Sequence, residues 1–256
     1  MSVLPIVGAG VLGLLVGSFL NACAYRIPLK ISVVRGRSFC PHCKALIRAY
    51  DNIPLVSYVV LRGRCRACGA PIHWRYPLVE ALTGGLFAGL AAYDGFEPVL
   101  AVHLLFVAAL ILVSDIDLQV RLIPDVVILP VAAIGLAAMI ALEPDRWWVW
   151  PAAGFGAAGF LFVTALLYEK LRKVEGMGMG DVKLALCMGF YLGSSVAPAL
   201  FIGFVLGAVA GVAVMARGGS RKTAIPFGPF LAAGAVIALF AGPALIDWYL
   251  SLALQR

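Results

Sequence analysis

The sequence predicts an all-α fold: a polytopic membrane protein with about eight transmembrane helices and one small cytoplasmic, zinc-binding insertion. Three observations carry this expectation. Of the 256 residues, 62% are hydrophobic and 13% charged, where a soluble domain carries about 25% charged residues. The apolar residues fall in runs close to the ~20 that a helix needs to cross a hydrocarbon core. The alternating pattern of a membrane β-barrel is absent, so helices are the spans. Finally, the charges sort by loop. Eighteen of the 20 Lys and Arg lie in 25–76, at Arg121, between Glu169 and Lys183, and in 217–222. Arg146 and Arg256 fall on the other side, where the loops hold Asp94, Glu97, Glu143, Asp145 and Asp247.

Taken in order, the expected spans are 4–24, 77–93, 98–114, 124–142, 148–168, 181–197, 199–216 and 225–249. The first has no basic segment before it, and the first cation, Arg26, follows it. It therefore reads as a membrane helix and not as a cleaved signal. Because cations favour the cytoplasmic side, both termini are expected in the periplasm. Residues 25–76, 115–125 and 176–183 then share the cytoplasmic face of an inner membrane. The net charge of +7 reads as topology, with anionic lipid of the bilayer as partner and no nucleic acid. Trp147, Trp148 and Trp150, and later Trp248 and Tyr249, sit where an interfacial aromatic belt belongs. The 28 glycines permit close helix packing in lipid. The expected organisation is a first transmembrane helix (1–24), a cytoplasmic four-cysteine domain (25–76) and a seven-helix membrane domain (77–256).

The insertion carries Cys40-Pro-His-Cys43 and Cys65-Arg-Ala-Cys68, 21 residues apart. Two C-x-x-C knuckles in one short segment suit a tetrahedral zinc site. Redox dithiols are the competing reading, although a cytosolic placement disfavours disulfides. His42, between two of the cysteines, competes as a ligand. Cys23 and Cys187 read as small apolar residues of the spans.

Acids at the ends of apolar runs are functional candidates, and two stretches stand out. One is DIDLQVRLIPD (115–125). The other is EGMGMGDVKLAL, which holds Asp181. Two carboxylates brought together share one proton, since like charges at short range cannot both ionise. Such a pair activates water against a peptide carbonyl. The structural alternative is that each acid caps a helix. Asp125, after Pro124, fits that role best, at a helix start with unpaired N–H groups. Residue types alone leave Asp115 and Asp117 equivalent. Gly176, Gly178 and Gly180 allow close passage of another chain beside Asp181, and Lys183 offers a cation near it. A phosphate-binding loop is excluded, because there is no G-x-x-x-x-G-K-[ST] and no preceding strand.

These stretches together resemble one family. GLLVGSFLNACAYRIP (13–28), the two knuckles, CRACGAPIHWRYPLVEALTG (65–84), DLQVRLIPD (117–125), GMGDVKLAL (178–186) and PFGPFLAAG (226–234) resemble the type IV prepilin peptidases. These are bifunctional leader peptidases and N-methyltransferases of the G-x-G-D aspartyl type. The resemblance implies that Asp117, and not Asp115, pairs with Asp181 as the catalytic acids. From the residues themselves, substrate contacts are expected at Gly178, Gly180 and Lys183, and structural Zn2+ on Cys40, Cys43, Cys65 and Cys68. S-adenosylmethionine is implied as methyl donor, and type IV prepilins or type II pseudopilins as protein substrates. A transporter with acids in broken helices and a non-catalytic assembly factor are the rival classes. The first would place its acids near the midplane; here they fall at span ends.

Overall fold

The computed structural model describes residues 3–173, 178–218 and 225–254. Among them every regular element is a helix. Nine are α-helices: α1 (Val3–Arg26), α2 (Val56–Val60), α3 (Arg75–Tyr93), α4 (Pro98–Val120), α5 (Asp125–Leu142), α6 (Val149–Arg172), α7 (Met179–Leu192), α8 (Val196–Ala216) and α9 (Gly228–Leu254). The chain forms two compact units, Met1–Leu112 and Val113–Arg256.

Each expected span coincides with one of the eight longer helices, although fewer than eight stretches stand out by length and composition alone. Six helical stretches among the described residues are long and apolar enough to cross a bilayer. The helix α3 is not one of them, since Arg75, Glu80 and Thr83 dilute its apolar run. The expected 181–197 and 199–216 merge into one apolar stretch, Met179–Ala216. Only a single 3-10 turn, Gly193–Ser195, interrupts it. Gly193 sits at φ +54° there, a left-handed conformation that glycine adopts without a Cβ clash. The helix α4 also runs beyond the expected 114, to Val120, so that Asp115 and Asp117 are helix residues.

In the first unit α1 and α3 pack antiparallel. Gly10 faces Gly84 and Ala88, while Gly17 lies against Glu80. The Asn21 side-chain amide donates to the Tyr76 carbonyl at 3.0 Å. A methyl group on Gly13 would lie 2.6 Å from the Thr83 carbonyl, so this crossing depends on small residues, as expected for helices that associate without a hydrophobic driving force. Past α1, the buried Arg26 guanidinium gathers the loop that follows, donating to the carbonyls of Ser32, Val33, Arg35, Gly36 and Arg37 at 3.1–3.5 Å.

In the second unit α7 is the central helix. Leu184, Ala185, Cys187 and Met188 are wholly buried, and α5 and α6 pack against it. The Tyr191 hydroxyl donates to the Val131 carbonyl at 2.9 Å. The helices α6 and α7 touch backbone to backbone, since a Cβ on Gly189 would lie 2.4 Å from Gly154 Cα. Such a close crossing fixes the N-terminus of α7, where Asp181 sits.

Candidate functional site

The second unit contains a cleft of about 440 Å³ lined by Asp117, Arg121, Leu122, Ile123, Pro124, Asp125, Gly178, Gly180, Asp181 and Lys183. Both acids of interest thus open onto one space, 64 residues apart in the chain.

Helix termini position each acid. Asp117 lies in the last turn of α4 and is 6% exposed. Its Oδ2 accepts the backbone N–H of Gly228 at 2.9 Å. Gly228 is the first residue of α9, so the carboxylate meets a helix N-terminus, where unpaired N–H groups and the helix dipole favour negative charge. No larger residue fits there, because a Cβ on Gly228 would lie 2.8 Å from the same oxygen. Asp181 stands in the first turn of α7, its own N–H on the Gly178 carbonyl at 3.1 Å. Gly180 lets this turn press onto the loop after α4: a Cβ there would lie 2.8 Å from Ile123 Cβ. Gly176, the third glycine of the approach, lies outside the described residues.

The neighbouring groups differ in placement. Asp115 is buried and absent from the cleft lining. Arg121 ends α4 in a left-handed turn at φ +54°, its N–H on the Asp117 carbonyl at 2.9 Å. Asp125 opens α5 after Pro124, as expected. It also does something the sequence did not suggest: Lys183 Nζ donates to both its carboxylate oxygens at 2.7 and 2.8 Å. This ion pair ties the start of α5 to the helix bearing Asp181. Gly228 is likewise a functional candidate with no role in the sequence reading. The run P-F-G-P-F was its only signal.

In the first unit the four cysteine sulfurs lie within 4.8 Å of one another. Cys40 and Cys68 Sγ are 3.9 Å apart, against about 3.8 Å for two thiolates on a tetrahedral zinc with ~2.3 Å bonds. The cluster is built from two similar knuckles. Cys40 N–H donates to the Ala45 carbonyl and Lys44 N–H back to Cys40; Cys65 N–H donates to Ala70 and Gly69 N–H back to Cys65, all at 2.8–2.9 Å. Lys44 and Gly69, after the second cysteine of each knuckle, are both left-handed, at φ +60° and +70°. The backbone N–H groups of Cys68 and then Ala67 aim at the Cys65 sulfur and bring its thiol down to about 7. Four sulfurs so arranged can hold a metal ion. His42 is exposed and outside the cluster. Cys23 and Cys187 are buried among apolar residues, as expected. His103 pairs with Asp94 at 2.8 Å.

Comparison with known proteins adds the family. Residues 11–93 match the Bacterial Peptidase A24 N-terminal domain and residues 104–212 the Type IV leader peptidase family. Three curated relatives are each named prepilin leader peptidase/N-methyltransferase. That of Burkholderia pseudomallei (strain 1026b) is 38% identical, over 91% of this chain and 84% of its own length. That of Legionella pneumophila is 38% identical over 94% and 93%, and that of Bacillus subtilis (strain 168) 33% over 95% and 97%. No solved structure matches the chain.

Proposed function

This chain belongs to the type IV leader peptidase family, and we propose that it removes the leader peptide of type IV prepilins or type II pseudopilins by an aspartyl mechanism and methylates the new N-terminal amine. One observation carries the peptidase half: Asp117 and Asp181 line the same cleft. In this reading the pair holds one proton and titrates as a unit. The Gly228 N–H fixes one oxygen of Asp117, leaving the other for a water. The ionised carboxyl takes a proton from that water as its oxygen bonds to the scissile carbonyl carbon. The protonated partner then gives its proton to the departing amine as the C–N bond breaks. Gly178 leaves room for an extended substrate backbone beside Asp181, Gly180 lines the cleft where its turn packs on Ile123, and Lys183 lies at the rim to position the substrate.

The knuckles suit zinc, held by Cys40, Cys43, Cys65 and Cys68. The metal supplies folding energy to 25–76, a segment too short for a sizeable core. S-adenosylmethionine is the methyl donor we assign to the second activity. The remainder, 77–256, forms the membrane peptidase domain. We place the cleft and the cysteine loop at the cytoplasmic face of an inner membrane, and both termini outside, on the asymmetry of Lys and Arg.

Purified enzyme mixed with a prepilin, followed by mass measurement of pilin N-termini, tests the proposal. Asp117→Asn and Asp181→Asn should each abolish leader removal in a folded protein, while Asp115→Asn stays active. Substantial cleavage by either of the first two overturns the assignment.

A further inference from the structure

Residues 53–61, IPLVSYVVL, are an uncharged apolar run inside the otherwise basic loop between α1 and α3. The structure holds this run in an unusual way. Leu55 adopts φ +60°, ψ −48°, and the Val56 N–H reaches back to the Pro54 carbonyl at 2.6 Å. That is a γ-turn of the rare, strained kind. The turn is anchored at both ends. The Leu55 N–H donates to Glu80 Oε2 at 2.9 Å. Ser57, buried, donates to the Tyr50 carbonyl and accepts from the Ile53 N–H, both at 3.0 Å. With Ser57 turned inward, Val56, Val59 and Val60 form one face of α2 and are 55%, 72% and 67% exposed.

The anchor also sets the depth of the run. Glu80 lies against Gly17 of α1. Gly17 is nine residues before the end of α1 at Arg26, or about 13.5 Å along the axis. The whole of α1, a membrane-length helix of 24 residues, is about 36 Å long against a hydrocarbon core of ~30 Å. The start of α2 therefore returns to a level at or below the headgroup boundary. The charges flanking the run fit that placement. Arg48, Arg62 and Arg64 bracket it, and the acid that flanks it in sequence, Asp51, is already paired with Arg66 at 2.7 Å. Exposed Tyr50 and Trp74 add the amphipathic rings that favour a membrane interface.

From this we infer that 53–61 is not part of the water-facing loop but a re-entrant segment seated in the bilayer surface. Its three valines lie in the acyl boundary, and its flanking arginines meet anionic lipid headgroups. An apolar run this short suits an interfacial or re-entrant placement better than a span, and a strained turn fixed by a buried carboxylate presents the valines outward.

The test uses the full-length protein in vesicles of phosphatidylethanolamine and phosphatidylglycerol, about three to one. A small fluorescent amino acid replaces Val59, Val60 or, as the water-facing reference, His42, which is exposed beside the cysteine cluster. Quenching is measured with iodide from water and with a doxyl group on the lipid acyl chain. The expected result is about three-fold or more weaker iodide quenching at 59 and 60 than at 42, with strong doxyl quenching only at 59 and 60. Iodide access equal to that at 42 overturns the inference. So does shielding from both quenchers, which would mean that protein covers the face. Using both 59 and 60 keeps the result readable if one label disturbs the turn.

Discussion

Replacing Gly228 by alanine is the sharpest probe of the candidate site. The added Cβ would stand 2.8 Å from Asp117 Oδ2 and 3.3 Å from its Cγ, where ordinary contact begins at 3.4 Å. The carboxylate or the first turn of α9 must therefore yield by about 0.6 Å, which stretches the 2.9 Å hydrogen bond from the Gly228 N–H toward 3.5 Å, where little of it survives. A hydrogen bond to a charged group is worth about 1.5–3 kcal/mol, and each ~1.4 kcal/mol is tenfold in rate. Misplacing a reacting group by about 1 Å costs a comparable hundredfold. Gly228→Ala should thus lower the cleavage rate about ten- to hundredfold, with a fall of roughly 3–12 °C in unfolding temperature that leaves the protein folded at the assay temperature. Gly211→Ala in α8 is the control. A Cβ there meets nothing within 4 Å, and alanine favours a helix by about 1 kcal/mol over glycine. The assay is initial-rate cleavage of a purified prepilin in vesicles. If Gly228→Ala cleaves as fast as Gly211→Ala, Gly228 does not hold the reactive carboxylate.

Three further outcomes are expected. Asp125→Lys and Lys183→Asp should each slow cleavage severalfold, and the double exchange should restore part of the rate. An exposed pair of this kind is worth under about 1 kcal/mol in stability, so a parallel fall in unfolding temperature and no recovery in the exchange would reduce the pair to surface decoration. Metal analysis should find one zinc per chain. The ion should be released as pH falls, because thiolates must be deprotonated to bind it. Cys40→Ser with Cys65→Ser should yield cleaved pilin lacking its N-methyl group, whereas a joint loss of both activities with protein level would make the metal only a staple. A reporter fused at Gly69 should give a cytoplasmic signal and one at Gly95 an external signal; the reverse at Gly69 would invert the proposed topology.

What the sequence made legible was whatever repeats over a helix or sits within a few residues. Runs of apolar residues located eight helices because crossing lipid imposes a length on each. Paired C-x-x-C spacing located the four sulfurs that the fold brings within 4.8 Å. The break within Met179–Ala216, expected at 198, falls a few residues earlier at Gly193–Ser195, since a single left-handed residue leaves no mark on hydropathy. The helix α2 went unnoticed because five residues are too few to show a period. Contacts made across the fold were illegible for a different reason. The Gly228 N–H meets Asp117 at a separation of 111 residues, and Lys183 meets Asp125 at 58. Neither partner carries a local sign of the other. The choice of Asp117 over Asp115 came from family resemblance and not from residue type. The two carboxyls are both buried, yet only Asp117 opens onto the cleft.

The contact between α9 and Asp117 also bears on how the molecule is made. Chains are synthesised from the N-terminus, so both acids have left the ribosome well before Gly228 has been translated. Until that last helix is inserted, the Asp117 carboxylate lacks the donor that holds it. A half-made chain therefore carries both cleft carboxyls without the finished arrangement around them.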